Sequence, residues 1–216
     1  MRCAVLLVTA FALSVSACAP ADPESTPDPP STTAVDPDVG TDPGTDLDFG
    51  EEATLAWQPE ADVPGVLDLR VDAVAEQRQS VFDGWIRDDT MAASRPYFVT
   101  VTVTNAGESD LGGQEVPLYL RDDAGGLGAP WTLGGDFTAC QSGPLPTPFA
   151  PGAEAEMCLV YLAPDGARIR DLVFEPTEGY DPISWSGEVQ EPEKPAKERD
   201  QKRVQKRDQK QGGKRG

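Results

Sequence analysis

The sequence contains no histidine. That removes the side chain most used as a general base near neutral pH, the commonest zinc ligand, and every Ser-His or Cys-His pair that a nucleophilic hydrolase would need. Lysine is absent from the first 193 residues. Hydrophobic residues at 38% and aromatics at 7% are low for a chain folded along its whole length, so long segments are expected to stay outside any core. No G-x-S-x-G, S-x-x-K, phosphate or dinucleotide loop, H-E-x-x-H or C-x-x-C occurs. Adjacent acids such as Asp88-Asp89 and Asp122-Asp123 are present, but a body this rich in carboxylates produces such pairs by composition alone. No enzyme, cofactor or metal site is expected.

The net charge of −19 conceals a division. After Pro192 ten basic residues accompany four acids, whereas residues 18–191 hold seven arginines and no lysine against 33 acids, a balance of −26. An acidic body therefore carries a basic tail. The repeated Arg-Asp-Gln-Lys of residues 199–202 and 207–210 has no apolar face, which excludes an amphipathic membrane helix. Two readings stand for the tail: a solvated end, or electrostatic attachment to anionic cell-wall polymers or lipid headgroups. Nucleic acid is not an expected partner.

Cysteine is scarce, and each of the four has its own context. Met1-Arg2 is a short positive segment, and residues 4–15 form an apolar run too short to span a bilayer but suited to the core of a signal peptide. Val15-Ser16-Ala17-Cys18 follows, and resembles the lipobox of bacterial lipoproteins, in which cleavage precedes a cysteine that is then acylated. On that reading residues 1–17 are a signal peptide, Cys3 is lost with them, Cys18 carries the lipid anchor, and Cys140 and Cys158 remain. Two cysteines in an oxidising compartment are expected to form one disulfide.

Residues 18–61, rich in Pro, Asp, Thr, Ser and Gly, are expected to be a disordered acidic tether. The folded part is expected over residues 62–190, and a disordered basic tail over residues 191–216. Within the folded part, residues 97–105 carry the strongest signal: Tyr97, Val99, Val101 and Val103 alternate with Phe98, Thr100, Thr102 and Thr104, the period of a strand. Leu67, Leu69, Val71 and Ala73 alternate likewise, and residues 81–87, 116–121, 131–137, 156–162, 169–174 and 183–185 read as further extended segments separated by Gly, Pro and Asp turns. Seven to eight short strands and no helix of useful length predict an all-β, immunoglobulin-like antiparallel sandwich.

The succession YFVTVTVTNAG, LYLRDDAGG, FAPGAEAEMCLVYLAP, LVFEP and ISWSG resembles the Ig-like extracellular domain of actinobacterial and firmicute lipoproteins, grouped with the mycobacterial immunoprotective extracellular antigen. The resemblance spans residues 65–188. It implies a β-sandwich on the outer face of the plasma membrane of a Gram-positive, actinobacterial cell, and it carries no active-site set. Trp85 and Trp185 are expected in the core. Trp131, after Ala129-Pro130 in a glycine-rich stretch, is read either as packed or as a surface anchor for a partner. The functional expectation is a non-enzymatic envelope lipoprotein whose sandwich is an interaction or assembly module, with a protein or a cell-wall polymer as partner. The alternative is a solute-binding or sensory accessory lipoprotein that captures a small ligand for a membrane partner. The sequence names neither the partner nor an oligomeric state.

The anchor can be tested directly. Cys18→Ala should release the protein from the membrane fraction or leave it unprocessed; a mutant that still partitions into the detergent phase with unchanged mobility would exclude lipidation at this residue.

Overall fold

The computed structural model describes residues 39–60, 63–85, 88–133 and 137–192. The expected signal peptide, Cys18, most of the expected tether and the tail beyond Pro192 lie outside the described residues. Ten strands build two sheets: β1 (Asp46–Asp48), β2 (Glu52–Glu60), β3 (Val63–Glu76), β4 (Arg95–Asn105), β5 (Tyr119–Asp122), β6 (Leu127–Gly128), β7 (Glu154–Ala163), β8 (Ile169–Phe174), β9 (Ile183–Ser186) and β10 (Val189–Gln190). The first sheet has the order β1-β9-β8-β5-β6 and the second β10-β3-β4-β7, with β2 also paired to β3.

The predicted central strand is β4. Its odd-numbered residues Val99, Val101 and Val103 are fully buried between the sheets, while Thr100, Thr102 and Thr104 stand half-buried on the outer face. It is antiparallel to β3 on one side and β7 on the other, with Val101 opposite Val71 and Met157. The chain leaves this sheet after β4 for β5 and β6, returns for β7, and leaves again for β8 and β9. That pair of crossings is the connectivity of an immunoglobulin-type sandwich, carried here by β3 to β9. Leu67, Leu69 and the β4 valines meet Leu118, Leu120, Leu172, Phe174 and Trp185 in one core. Tyr161 on β7 ties the layers together, because its hydroxyl donates to the carbonyl of Leu118 at 2.8 Å. Burial pushes that phenol well above its ordinary pKa.

The turn after β4 is held by a buried amide. Asn105 Nδ2 donates to the carbonyls of Ser109 (2.8 Å) and Phe149 (2.7 Å), and its Oδ1 accepts from Gly107 N at 3.0 Å. All the polar capacity of that side chain but one lone pair is thus used inside the fold, as burial requires. The Asn105-Ala106-Gly107 motif is therefore a clamp that joins the end of β4 to the loop before β7.

Several expectations are corrected. The folded part does not begin at residue 62, since β1 and β2 lie within the expected tether. Ala53, Leu55 and Trp57 alternate with Glu52, Thr54 and Ala56 along β2 and are buried at 1%, 0% and 9% exposure. Acids, Pro59 and the preceding Asp-Pro units dilute this short pattern in composition, which is why it escapes a reading by segment bias. Trp57 lies opposite Gly65 in the β2–β3 register, and a Cβ at Gly65 would stand 2.9 Å from its ring, so the glycine makes room for the indole. The strand count is ten rather than seven or eight, and two of the ladders, β1–β9 and β10–β3, are parallel. Residues 79–82 form a 3-10 turn where an extended piece was expected, followed by the short helix α1 (Asp89–Ala93), which Asp88 caps by accepting from Met91 N at 2.7 Å. Residues 114–118 are irregular, so the run at 116–121 is a strand only from Tyr119.

If β2 belongs to the domain, Trp57→Ala should cost about 3 kcal/mol, as large aromatic truncations in cores do. Urea unfolding monitored by circular dichroism checks this; an unchanged midpoint would return residues 52–60 to the tether.

Candidate interaction surface

The outer face of the β3-β4-β7 sheet is divided along its length. Toward one end Phe98, Cys158, Val160 and Leu162 are covered by a second apolar cluster built from Phe82, Met91, Phe137 and Cys140, with Val81, Trp85 and Leu133 at its border. Phe137 is its centre, with ring centroids 5.5 Å from Phe82, 5.4 Å from Trp85 and 5.9 Å from Phe98. The two connections that supply it, residues 79–91 and 131–142, are the long excursions between strands. Trp85, expected in a strand and in the core, is instead half-buried at the border of this cover and outside any strand; Trp185 is fully buried within β9, as expected.

Toward the other end the same face is polar. The register places Glu52, Arg70, Thr102 and Glu156 in one row across four strands, and Thr54, Asp68, Thr104 and Glu154 in the next. Arg70 Nε donates to Asp72 Oδ1 at 2.6 Å and its NH2 to Thr102 Oγ1 at 3.1 Å, while that hydroxyl donates to Asp72 Oδ2 at 2.7 Å. The bond to Asp72 raises the guanidinium pKa above its ordinary value, with Glu52 and Glu154 adding to the same field. Five carboxylates (Glu52, Asp68, Asp72, Glu154 and Glu156) therefore share this half-face with one cation, which is chemistry for attracting positive charge and offers no acid-base pair in a pocket.

The disulfide stands at the boundary. Cys140 and Cys158 are bonded, with Cα atoms 5.3 Å apart, and Cys158 lies opposite Thr100. The bond closes a loop 18 residues in separation and pins the Pro-rich segment 141–151 against β7. Next to it opens a groove of about 460 Å³, lined by Thr138, Cys140, Pro144 and Pro146 on the loop side and by Thr100, Glu156 and Cys158 on the sheet side. Sequence reasoning finds the disulfide but not this groove, because the groove is created where a loop returns to a strand distant in sequence.

Trp131 forms a single bridge to Val160, donating from its backbone N–H to the Val160 carbonyl at 2.7 Å, with 39% of the residue exposed. Leu127 on β6, at 49%, is the neighbouring exposed aliphatic residue. Both lie in the five-residue stretch that carries the chain from β6 to the β7 edge. Of the two readings of Trp131, the geometry favours the surface one. Cys18 lies outside the described residues. Among the described residues, no cluster of three or more Cys, Asp or Glu is placed to hold a metal ion, and no helix is long and apolar enough to cross a membrane. No family model, curated protein or solved structure matches the chain.

Closing a loop of this length contributes about 3 kcal/mol. Replacing both Cys140 and Cys158 by Ser should lower the unfolding free energy by about that amount in urea titration, and intact mass should show the oxidised chain 2 Da lighter than the reduced one. Two thiols that alkylate without reduction would contradict the bond.

Proposed function

We propose that this is a non-enzymatic, lipid-anchored protein of the cell envelope whose sandwich is an interaction or assembly module, binding a protein or cell-wall polymer outside the plasma membrane. The observation that carries the reading is Trp131: a tryptophan held on the rim by a backbone bridge, with 39% of the residue exposed. Rigid, partly exposed tryptophans are the residues most enriched among those that dominate binding energy at interfaces. Leu127, four residues earlier, is a second exposed apolar residue of the same stretch, and the acidic half-face supplies charge selectivity. The Val15-Ser16-Ala17-Cys18 junction supports the anchor and the location, and the resemblance to extracellular lipoprotein domains supports both.

A solute-binding or sensory role is a second reading, and the groove beside the disulfide favours it by size, since small-molecule sites run from about 300 to 1,000 Å³. Its lining argues for the first reading, because prolines, threonines and Glu156 form an open trough without an aromatic wall.

Trp131→Ala separates the two. In a pull-down from envelope extract with the full-length protein, the substitution should weaken retention of bound components by roughly tenfold or more, the effect of losing an interface anchor. Identical profiles for wild type and mutant would reject the interaction surface.

A further inference from the structure

The β7 strand is ten residues long and forms the outer edge of its sheet. Its backbone alternates: Val160 accepts from Trp131 N on the outer side, at 2.7 Å, and donates there to Ser142 Oγ at 3.0 Å, so its polar groups point away from β4. The β4–β7 register runs from Thr104–Glu154 to Arg95–Ala163 without a shift. By the two-residue period of an antiparallel ladder, Glu154, Glu156 and Cys158 turn their N–H and C=O groups to the same outer side. Trp131–Val160 is the isolated bridge on that side among the described residues. The bridge is one residue of a sixth strand that goes no further. Where the next residues of such a strand would lie, the groove opens, with Glu156 and Cys158 in its lining and Pro144 and Pro146 opposite.

We propose that the β7 edge from Glu154 to Cys158 receives an extended segment of another polypeptide as an added strand, and that the segment carries lysine or arginine at alternate positions. This rests on the reading of the sandwich as an interaction module and names its kind of partner. The backbone groups supply the ladder, as in other edge-addition complexes. The charge of the partner follows from the outer face. Side chains of the added strand on that face stand beside Glu154 and Glu156, both exposed, with Asp72 and Asp68 further in and Arg70 already held by Asp72 and Thr102. A second copy of this chain is disfavoured at the same edge, because pairing β7 with β7 sets these glutamates against each other, and like charges across a ladder destabilise it.

The test uses the full-length chain and a capped octapeptide alternating valine and lysine, followed by calorimetry and by amide exchange. Saturable one-to-one binding is expected, with slowed exchange at Glu156 and Cys158. Affinity should fall at least tenfold when the peptide amides facing β7 are N-methylated, and again for the Glu154→Lys, Glu156→Lys double variant. Glu156→Pro should also abolish binding while sparing the β4 ladder, since the lost N–H faces outward; the lysine variant answers the question if the proline one does not fold. No binding at millimolar peptide, equal affinity of the N-methylated peptide, or protection elsewhere would overturn the proposal. So would a gain of tenfold or more on truncation after Pro192, which would make residues 193–216 the occupant, or a dimer that the lysine variant dissolves, which would make it a second copy. Loss of peptide binding with Trp131-dependent capture intact would reject the edge alone; loss of both would reject the interaction module.

Discussion

The structure depends on β4 being covered on both faces. An edge strand or a strand with one wet face can alternate apolar and polar residues and stop there, but β4 spends its valines on the inter-sheet core and its Phe98 on a second cluster outside it. It also carries the ladders to β3 and β7, so the sheet exists only where β4 is straight and in register. Its two ends are fixed by different means. Arg95 pairs with Glu76 at 2.6 Å beside the β3 terminus, and Asn105 binds the backbone of the turn and of the Phe149 segment. The buried amide is the stronger constraint, because removing it would take three hydrogen bonds from the turn at once, whereas an ion pair exposed at a quarter or more of each side chain is partly screened.

From that strand outward, the legibility of the sequence falls with the range of the contacts involved. β3 and β4 show the two-residue period because alternate residues enter the inter-sheet core, while β7, β8 and β9 show as short apolar runs bounded by turn residues because successive residues are buried. Trp185 and the β4 valines are found by the same rules. β2 is missed because its three buried residues sit among acids and a proline, and its place is decided by Gly65, a residue that is informative only once it is known to face Trp57. The segment 79–91 is misread for the opposite reason. Val81, Phe82 and Trp85 are apolar enough for a strand, but they bury against Phe137, some fifty residues away, and the local turn at Asp83-Gly84, with Gly84 at φ +91°, prevents extension. The disulfide was legible by elimination of the other cysteines, while the groove beside it was not, because nothing local in residues 138–146 or 156–158 records that they meet.

Charge shapes the surface as strongly as packing shapes the interior. With no lysine in the body, its cations are arginines, and several are committed: Arg121 makes a two-pronged pair with Asp171 at 2.8 and 2.7 Å, Arg95 holds Glu76, and Arg70 holds Asp72. At Arg121 the planar fork satisfies the carboxylate with two bonds at once, and at Arg70 it divides between Asp72 and Thr102, geometries that a lysine cannot reproduce. Apart from Asp122, buried in its own turn, most of the remaining carboxylates stand at the surface as a field of one sign, and such a field suppresses association between copies while favouring cationic partners at a distance.

The treatment of sheet edges joins these two themes. An unpaired edge invites pairing with any extended chain, and proteins blunt it by shortening, covering or charging the strand. Here β1, β6 and β10 are two or three residues long, and β2 ends on Pro59 and Glu60. β7 combines length with an edge that is covered over part of its run, by Trp131 and Ser142 at Val160. Over the remainder the guard is charge, from Glu154 and Glu156. A charged guard differs from a covering one in being selective: it repels a copy of itself and an acidic chain, and it attracts a basic one. The same two glutamates that set copies of this edge against each other therefore leave its backbone groups accessible to a chain of opposite sign.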